Sequence, residues 1–143
     1  MTLNTYLFFD GNCKDAFEFY RSVFGGEFDT LMTYGDGPPD MEVPDENKDQ
    51  IMHVSLPVGS SVLMGSDRWY AQPEPFAPGT NFGISILAES PEQSDDLFTK
   101  LSDGGTVKMK MEKVFWGAYF GSLTDRFGID WMINCELPAE SPD

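Results

Sequence analysis

A single histidine, His53 in the stretch IMHVSL, is the only side chain here whose ordinary pKa lies near neutrality. Facing a cavity, its imidazole would act as a general base or orient a ligand. Its neighbours at alternating spacing are apolar, which equally suits a hydrogen-bonded structural histidine in a strand. One histidine rules out a zinc site built on two, and any Ser-His-Asp or Cys-His arrangement has to pass through it. The two thiols, Cys13 and Cys135, have spacing that matches neither a disulfide framework nor a zinc clip. Cys13 is expected at the first position of a helix, where the dipole lowers a thiol pKa. In FWGAYFG, residues 115 to 121, Gly117 and Gly121 leave room beside Phe115, Trp116, Tyr119 and Phe120 for a planar ligand to stack, although glycines in strands also mark bulges. Ser60 and Ser61 belong to a turn, and there is no G-x-S-x-G elbow, phosphate loop or dinucleotide fingerprint.

The elements that must carry these residues repeat. TYLFFDGN reads as a strand ending on turn formers, and NCKDAFEFYRSVFGGE as a helix with Asn12 as N-cap, Asp15 in the first turn and Gly25-Gly26 as the stop. Ala16, Phe17, Phe19, Tyr20, Val23 and Phe24 give it one apolar face. The pattern returns as the strand NFGISILAE and the helix SPEQSDDLFTKLSDGGT. There Ser90 and Gln93 form a capping box, Pro91 takes the first helical position and Gly104-Gly105 close the helix. From cap to cap, residue 12 to residue 90, the offset is 78.

Each helix precedes strand material that closes in a hairpin: IMHVSLPVGSSVLMGSD, with the turn at Pro57 to Ser61, and AYFGSLTDRFGIDWMINC, with the bend at Gly128. This order predicts an α+β domain over residues 1–143 made of two modules, about 1–68 and 80–138. Residues 34 to 50, rich in Gly, Pro and acidic side chains with few apolar anchors, are expected to form a long mobile loop. The irregular link after them carries Trp69, Tyr70 and Phe76, expected to pack on a partner subunit, the facing module or a ligand.

With 143 residues, 41% hydrophobic, the chain can bury a core without staples. Its 24 Asp and Glu against 9 Lys and Arg give a formal charge of −15, which disfavours nucleic acid and anionic lipid as partners. No apolar run reaches the length of a membrane span and no signal peptide is visible, so a cytoplasmic protein without membrane contact is expected.

YLFFDGNCKDAFEFYRSVFGGE, HVSLPVGSSVLMGSD and GSLTDRFGIDWMINCE, in that order, resemble the PhnB-like branch of the vicinal oxygen chelate superfamily, the glyoxalase, bleomycin-resistance and dioxygenase group. PhnB-like members are often labelled as a 3-demethylubiquinone methyltransferase domain, yet no glycine-rich nucleotide loop follows a strand here. The resemblance implies paired βαβββ modules whose sheets curl around a cavity, frequently as homodimers. It also implies a divalent metal held by His, Gln or Glu from the first and last strands of each module, able to bind two neighbouring substrate oxygens. Counted from the helix caps and the turn aspartate, those positions are Thr5, Gly83 and Met132, with Met64 as the mate of Met132. None is a strong donor to a hard or borderline divalent ion.

The metal and any other cofactor are therefore expected to be absent. A small molecule is expected to meet an apolar to mixed pocket wall drawn from His53, Met64, Phe115, Trp116, Tyr119, Asp130 and Met132. Strand alternation places Asp130, Met132 and Asn134 on one face and Trp131, Ile133 and Cys135 on the other. Two alternatives stand beside this expectation. One is an enzyme (lyase, isomerase or dioxygenase) with a metal site rebuilt from His53 or Asp130, or with His53 as base; the other is a dimeric interaction module that buries Trp69, Tyr70 and Trp116.

Overall fold

The computed structural model describes residues 1–138. The chain forms two compact units, the first Met1–Ala77 and the second beginning at Pro78. The first runs β1 (Thr5–Phe9), α1 (Cys13–Phe24), β2 (Thr30–Thr33), two short 3-10 turns, β3 (Ile51–Val58) and β4 (Ser61–Asp67). The second runs β5 (Ile84–Leu87), α2 (Pro91–Ser102), β6 (Thr106–Val114), β7 (Ala118–Thr124) and β8 (Asp130–Glu136). Their sheets have the same order, β1-β4-β3-β2 and β5-β8-β7-β6, and in each the first strand lies parallel to the last while the others are antiparallel. The α+β pattern of two βαβββ modules is thus the observed one, with two open four-stranded sheets.

In the first unit α1 covers one sheet face. Ala16, Phe17, Tyr20 and Val23 recur at helical spacing and are buried against Leu7, Phe9, Val54, Leu56 and Leu63. Close approach is possible because β4 has no side chain at Gly65, where a Cβ would lie 2.6 Å from Phe17 Cε2. The second unit repeats the device: Gly121 on β7 faces Phe98 of α2 and Met111, at 3.0 and 2.6 Å from where its Cβ would stand. The space at Gly121 is therefore filled by packing, and Gly117, at φ 83°, makes the β6–β7 turn.

The helix starts differ from each other. At α2 half of the expected capping box is present: Ser90 Oγ accepts from Gln93 N at 3.1 Å, while Gln93 Oε1 accepts at 2.7 Å from Glu89 N, one residue before the cap. At α1 the side chain of Asn12 makes no cap bond. Asp67, at the far end of the unit, takes over instead: its Oδ1 accepts from Gly11 N at 2.9 Å and Cys13 N at 3.0 Å, and its Oδ2 from Ile51 N at 2.8 Å. One buried carboxylate thus joins the end of β4, the start of α1 and the start of β3, and it compensates the orphan donors of the helix terminus.

Asp125 plays a corresponding part in the second unit by holding the β7–β8 loop. Oδ1 accepts from Phe127 N at 2.8 Å and Ile129 N at 3.1 Å, and Oδ2 accepts from the buried Trp131 indole at 2.8 Å. Gly128, at φ 87°, completes the bend. The β3–β4 turn is tighter than expected. Pro57 pairs with Val62 and Val58 with Ser61, leaving Gly59 and Ser60 as its two residues.

The 34–50 segment has an anchor that its composition hid. Tyr34 is buried, donates to Asp67 O at 2.8 Å and packs edge-on against Trp69 and Tyr70, each at 5.6 Å. Trp69 and Tyr70 join Tyr34 in one ring cluster, with Trp69 still 42% exposed, and the Tyr70 hydroxyl donates to Glu42 O at 3.2 Å. Arg68 donates to the carbonyls of Gln72 and Glu74, shaping the link that follows.

Candidate functional site

In each unit one sheet face meets the helix and the other is open. Pleat and register decide which side chains share the open face. In the first unit Gly65, paired with Leu7 and Val54, points at Phe17 of α1, so the alternate set lies opposite. Tyr6 pairs with Met64, Ser55 with Met64, and Met32 with His53, which gathers these side chains on the open face. Tyr6 Oη and His53 Nδ1 share a hydrogen bond of 3.1 Å, and the two rings stack at 5.6 Å with 24° between planes. With the imidazole proton on Nε2 the Tyr6 hydroxyl donates; with it on Nδ1 the imidazole donates. Phe8 continues the row, 5.1 Å from Tyr6 and 60% exposed.

Sequence reasoning named His53 and Met64 but missed Tyr6. Counting back from the helix cap gave Thr5, yet Thr5 pairs with Leu63 on the side that faces α1. The residue beside Met64 is Tyr6. The signal was available in the alternation of Leu7 and Phe9 with Tyr6 and Phe8.

In the second unit Ser85 pairs with Met132, and a Cβ on Gly83 would lie 3.5 Å from Met132 Cε, so Gly83 does sit on the side of Met132. Strand β8 alternates as expected, with Trp131, Ile133 and Cys135 buried and Asp130, Met132 and Asn134 partly exposed. Asp130 is already engaged: Oδ1 accepts from Thr124 Oγ1 at 2.5 Å and from Lys108 Nζ at 3.0 Å. These two hydrogen bonds hold its carboxyl below the usual carboxylate range.

Tyr119 pairs with Cys135, on the helix side, and its hydroxyl donates to Asp95 of α2 at 2.7 Å, which raises the phenol pKa. Phe115 and Trp116 stand at the tip of the β6–β7 hairpin, 96% and 55% exposed, with Trp116 packed edge-on against Phe120 at 5.8 Å. The second unit therefore brings Asp130 and Met132 to one face and sets Tyr119 on the other.

The Cys13 thiol runs against expectation. It starts α1, but it is fully buried beside Asp67, and burial first and the carboxylate charge second push its pKa up. Cys13 is a protonated packing residue, not a nucleophile. Both cysteines are buried and free.

The donors at the positions implied for a divalent ion do not fit one. Thr5 faces the helix, Gly83 has no side chain, and Met64 and Met132 offer thioether sulfur, which suits soft ions. Among the described residues, no three His, Cys, Asp or Glu side chains are grouped so as to hold a metal, and no helix is long and apolar enough to cross a membrane.

Comparison with known proteins agrees with this architecture. Residues 2–133 match the family model of the glyoxalase/bleomycin resistance protein/dioxygenase superfamily. Protein YjdN of Escherichia coli is 31% identical over 142 residues, spanning 94% of this chain and 95% of that one. The crystal structure of protein PA1353 from Pseudomonas aeruginosa superposes with a TM-score of 0.83 at 41% identity, over 96% of this chain and 99% of that one. A Bacillus cereus PhnB protein, described as a putative 3-demethylubiquinone-9 3-methyltransferase, shares the fold at a TM-score of 0.73 and 23% identity, over 94% and 99% of the two chains. With two βαβββ units in the same strand order and a family match over nearly its whole length, the chain belongs to the glyoxalase/bleomycin resistance protein/dioxygenase superfamily.

Proposed function

We propose that this PhnB-like protein binds a small organic molecule against the open face of the β1-β4-β3-β2 sheet, in an apolar to mixed site that uses no divalent metal. The observation that carries the proposal is the row Tyr6, His53 and Met64, which puts a phenol, an imidazole and a thioether together on that face. Thioethers adapt to apolar guests, and the Tyr6–His53 pair supplies directional hydrogen bonding. On the second unit's own open face Met132 and Asp130 are further candidate contacts, and Phe115 and Trp116 are exposed at its hairpin tip, whereas Tyr119 lies on the helix side, bonded to Asp95. Dialysis against Ni(II), Mn(II), Zn(II) and Fe(II), followed by metal analysis, tests the metal-free part: substoichiometric uptake is expected, and tight one-to-one uptake of any of them overturns it.

The Tyr6–His53 hydrogen bond favours one further reading, a metal-free enzyme in which His53 is the general base and Tyr6 positions it. Under that reading His53→Ala abolishes turnover of an oxygenated substrate; full activity in the variant excludes it. We also propose that the protein is a cytoplasmic homodimer that uses the exposed Phe115–Trp116 tip. Its mass in solution should be twice that of the chain and should fall to that of the monomer on Trp116→Ser.

A further inference from the structure

Tyr6, Phe8 and His53 form a ledge of rings on the open face of the first sheet, with Tyr6 stacked on His53 at 5.6 Å and Phe8 tilted against Tyr6 at 5.1 Å. Phe8 is 60% exposed although its strand neighbours Leu7 and Phe9 are each 3% exposed, so a large apolar ring faces water between two buried residues. The imidazole meets Tyr6 through Nδ1, which leaves Nε2 for a ligand. Met32, opposite His53, and Met64, opposite Tyr6, border the ledge with polarisable thioethers that pack well on ring edges.

Charge narrows the class further. The strand residues of this face carry no Lys, Arg, Asp or Glu, and the chain as a whole carries −15. An anionic ligand would meet no local cation and an unfavourable field. A saturated ligand would cover Phe8 but gain nothing from ring faces that favour stacked or edge-on partners.

We propose that this face takes a neutral planar arene bearing one hydroxyl or carbonyl oxygen, with its ring over Phe8 and Tyr6 and its oxygen at His53 Nε2. The proposal rests on the small-molecule reading above and names its ligand class. Both oxygen types are served because the Tyr6–His53 pair can reverse: a ligand hydroxyl donates to Nε2 while Nδ1–H donates to Tyr6, and a ligand carbonyl accepts from Nε2–H while Tyr6 donates to Nδ1.

The test is a titration of the full chain at pH 7 with 2-naphthol, 2-naphthoate and the saturated alcohol decahydro-2-naphthol, followed by NMR shifts of the His53, Tyr6 and Phe8 resonances. Binding of 2-naphthol at least about ten-fold tighter than either control is expected, with shifts confined to this face. Phe8→Ala and His53→Ala should each weaken it about ten-fold. Phe8 is exposed, so its variant keeps the fold, as circular dichroism would verify. Equal or tighter binding of naphthoate or the saturated alcohol at this face overturns the ligand class and leaves the small-molecule reading standing. If 2-naphthol binds undiminished in both variants, the arene lies elsewhere and the proposal fails. If none of the three probes shifts these resonances, both the class and the small-molecule reading fail.

Discussion

The two units share one strand order, and each keeps one buried carboxylate at a hinge of its sheet, yet the two carboxylates do unlike work. Asp67 binds three backbone N–H groups from two distant segments, the β1–α1 junction and the start of β3, whereas Asp125 binds two from its own loop and one indole six residues on. The open faces diverge in the same way. The first presents rings, thioethers and an imidazole without formal charge, and the second sets an Asp130–Lys108–Thr124 cluster beside Met132. A common scaffold therefore fixes where side chains point while leaving their chemistry free.

The comparison can be broken most directly at Asp67. Asp67→Ala leaves three buried or partly buried donors unpaired and should cost about 3–5 kcal/mol, measured by chemical denaturation. Asp125→Ala should cost about 2–3 kcal/mol, since the loop N–H groups regain water and the Trp131 indole is the main buried loss. A larger loss at Asp125 than at Asp67 would reverse the assigned ranking. Gly65→Ala drives a methyl into the Phe17 ring and the Leu7 carbonyl and should cost about 2–3 kcal/mol. Gly121→Ala should cost about 1 kcal/mol, because the nearest atom is the sulfur of the flexible Met111.

The smallest effect is expected from the charged face. The folded state holds the Asp130 carboxyl below its ordinary value, so its contribution to stability is complete above the unfolded-state pKa. That contribution is lost as pH falls through the lower folded value. Denaturation midpoints measured between neutral and acidic pH should fall less steeply in Asp130→Asn. An unchanged slope would remove Asp130 from the account.

The skeleton was legible because its punctuation is local. Glycine pairs at 25–26 and 104–105, the Ser90 cap on Gln93 and the alternation around Trp131 each act within a few residues. What escaped depended on distance along the chain. The cap of α1 comes from Asp67, 54 residues beyond Cys13, and nothing near Asn12 announces it. Tyr34 looked like one more residue of a polar loop until Trp69 and Tyr70 closed on it.

Tyr6 was displaced by one position because a count along a loop does not report the pleat; only pairing with Met64 sets its side. Met132 and Asp130 were placed on one face correctly by alternation, whereas the engagement of Asp130 by Lys108 needed the neighbouring strands. Cys13 followed the helix-dipole rule in position and departed from it in burial.

The parallel neighbourhood of β1 and β4 also governs how the chain is made. The aromatic strand TYLFF is made before the rest of its unit, yet its pairing partner is the last strand of that unit, ending at Asp67. Until that stretch emerges, β1 has no ladder to join and α1 lacks the carboxylate that fixes its start. Synthesis proceeds at about 5–20 residues per second, so Tyr6 and Phe8 stay without their sheet for several seconds, the interval in which a nascent chain most needs a chaperone's cover.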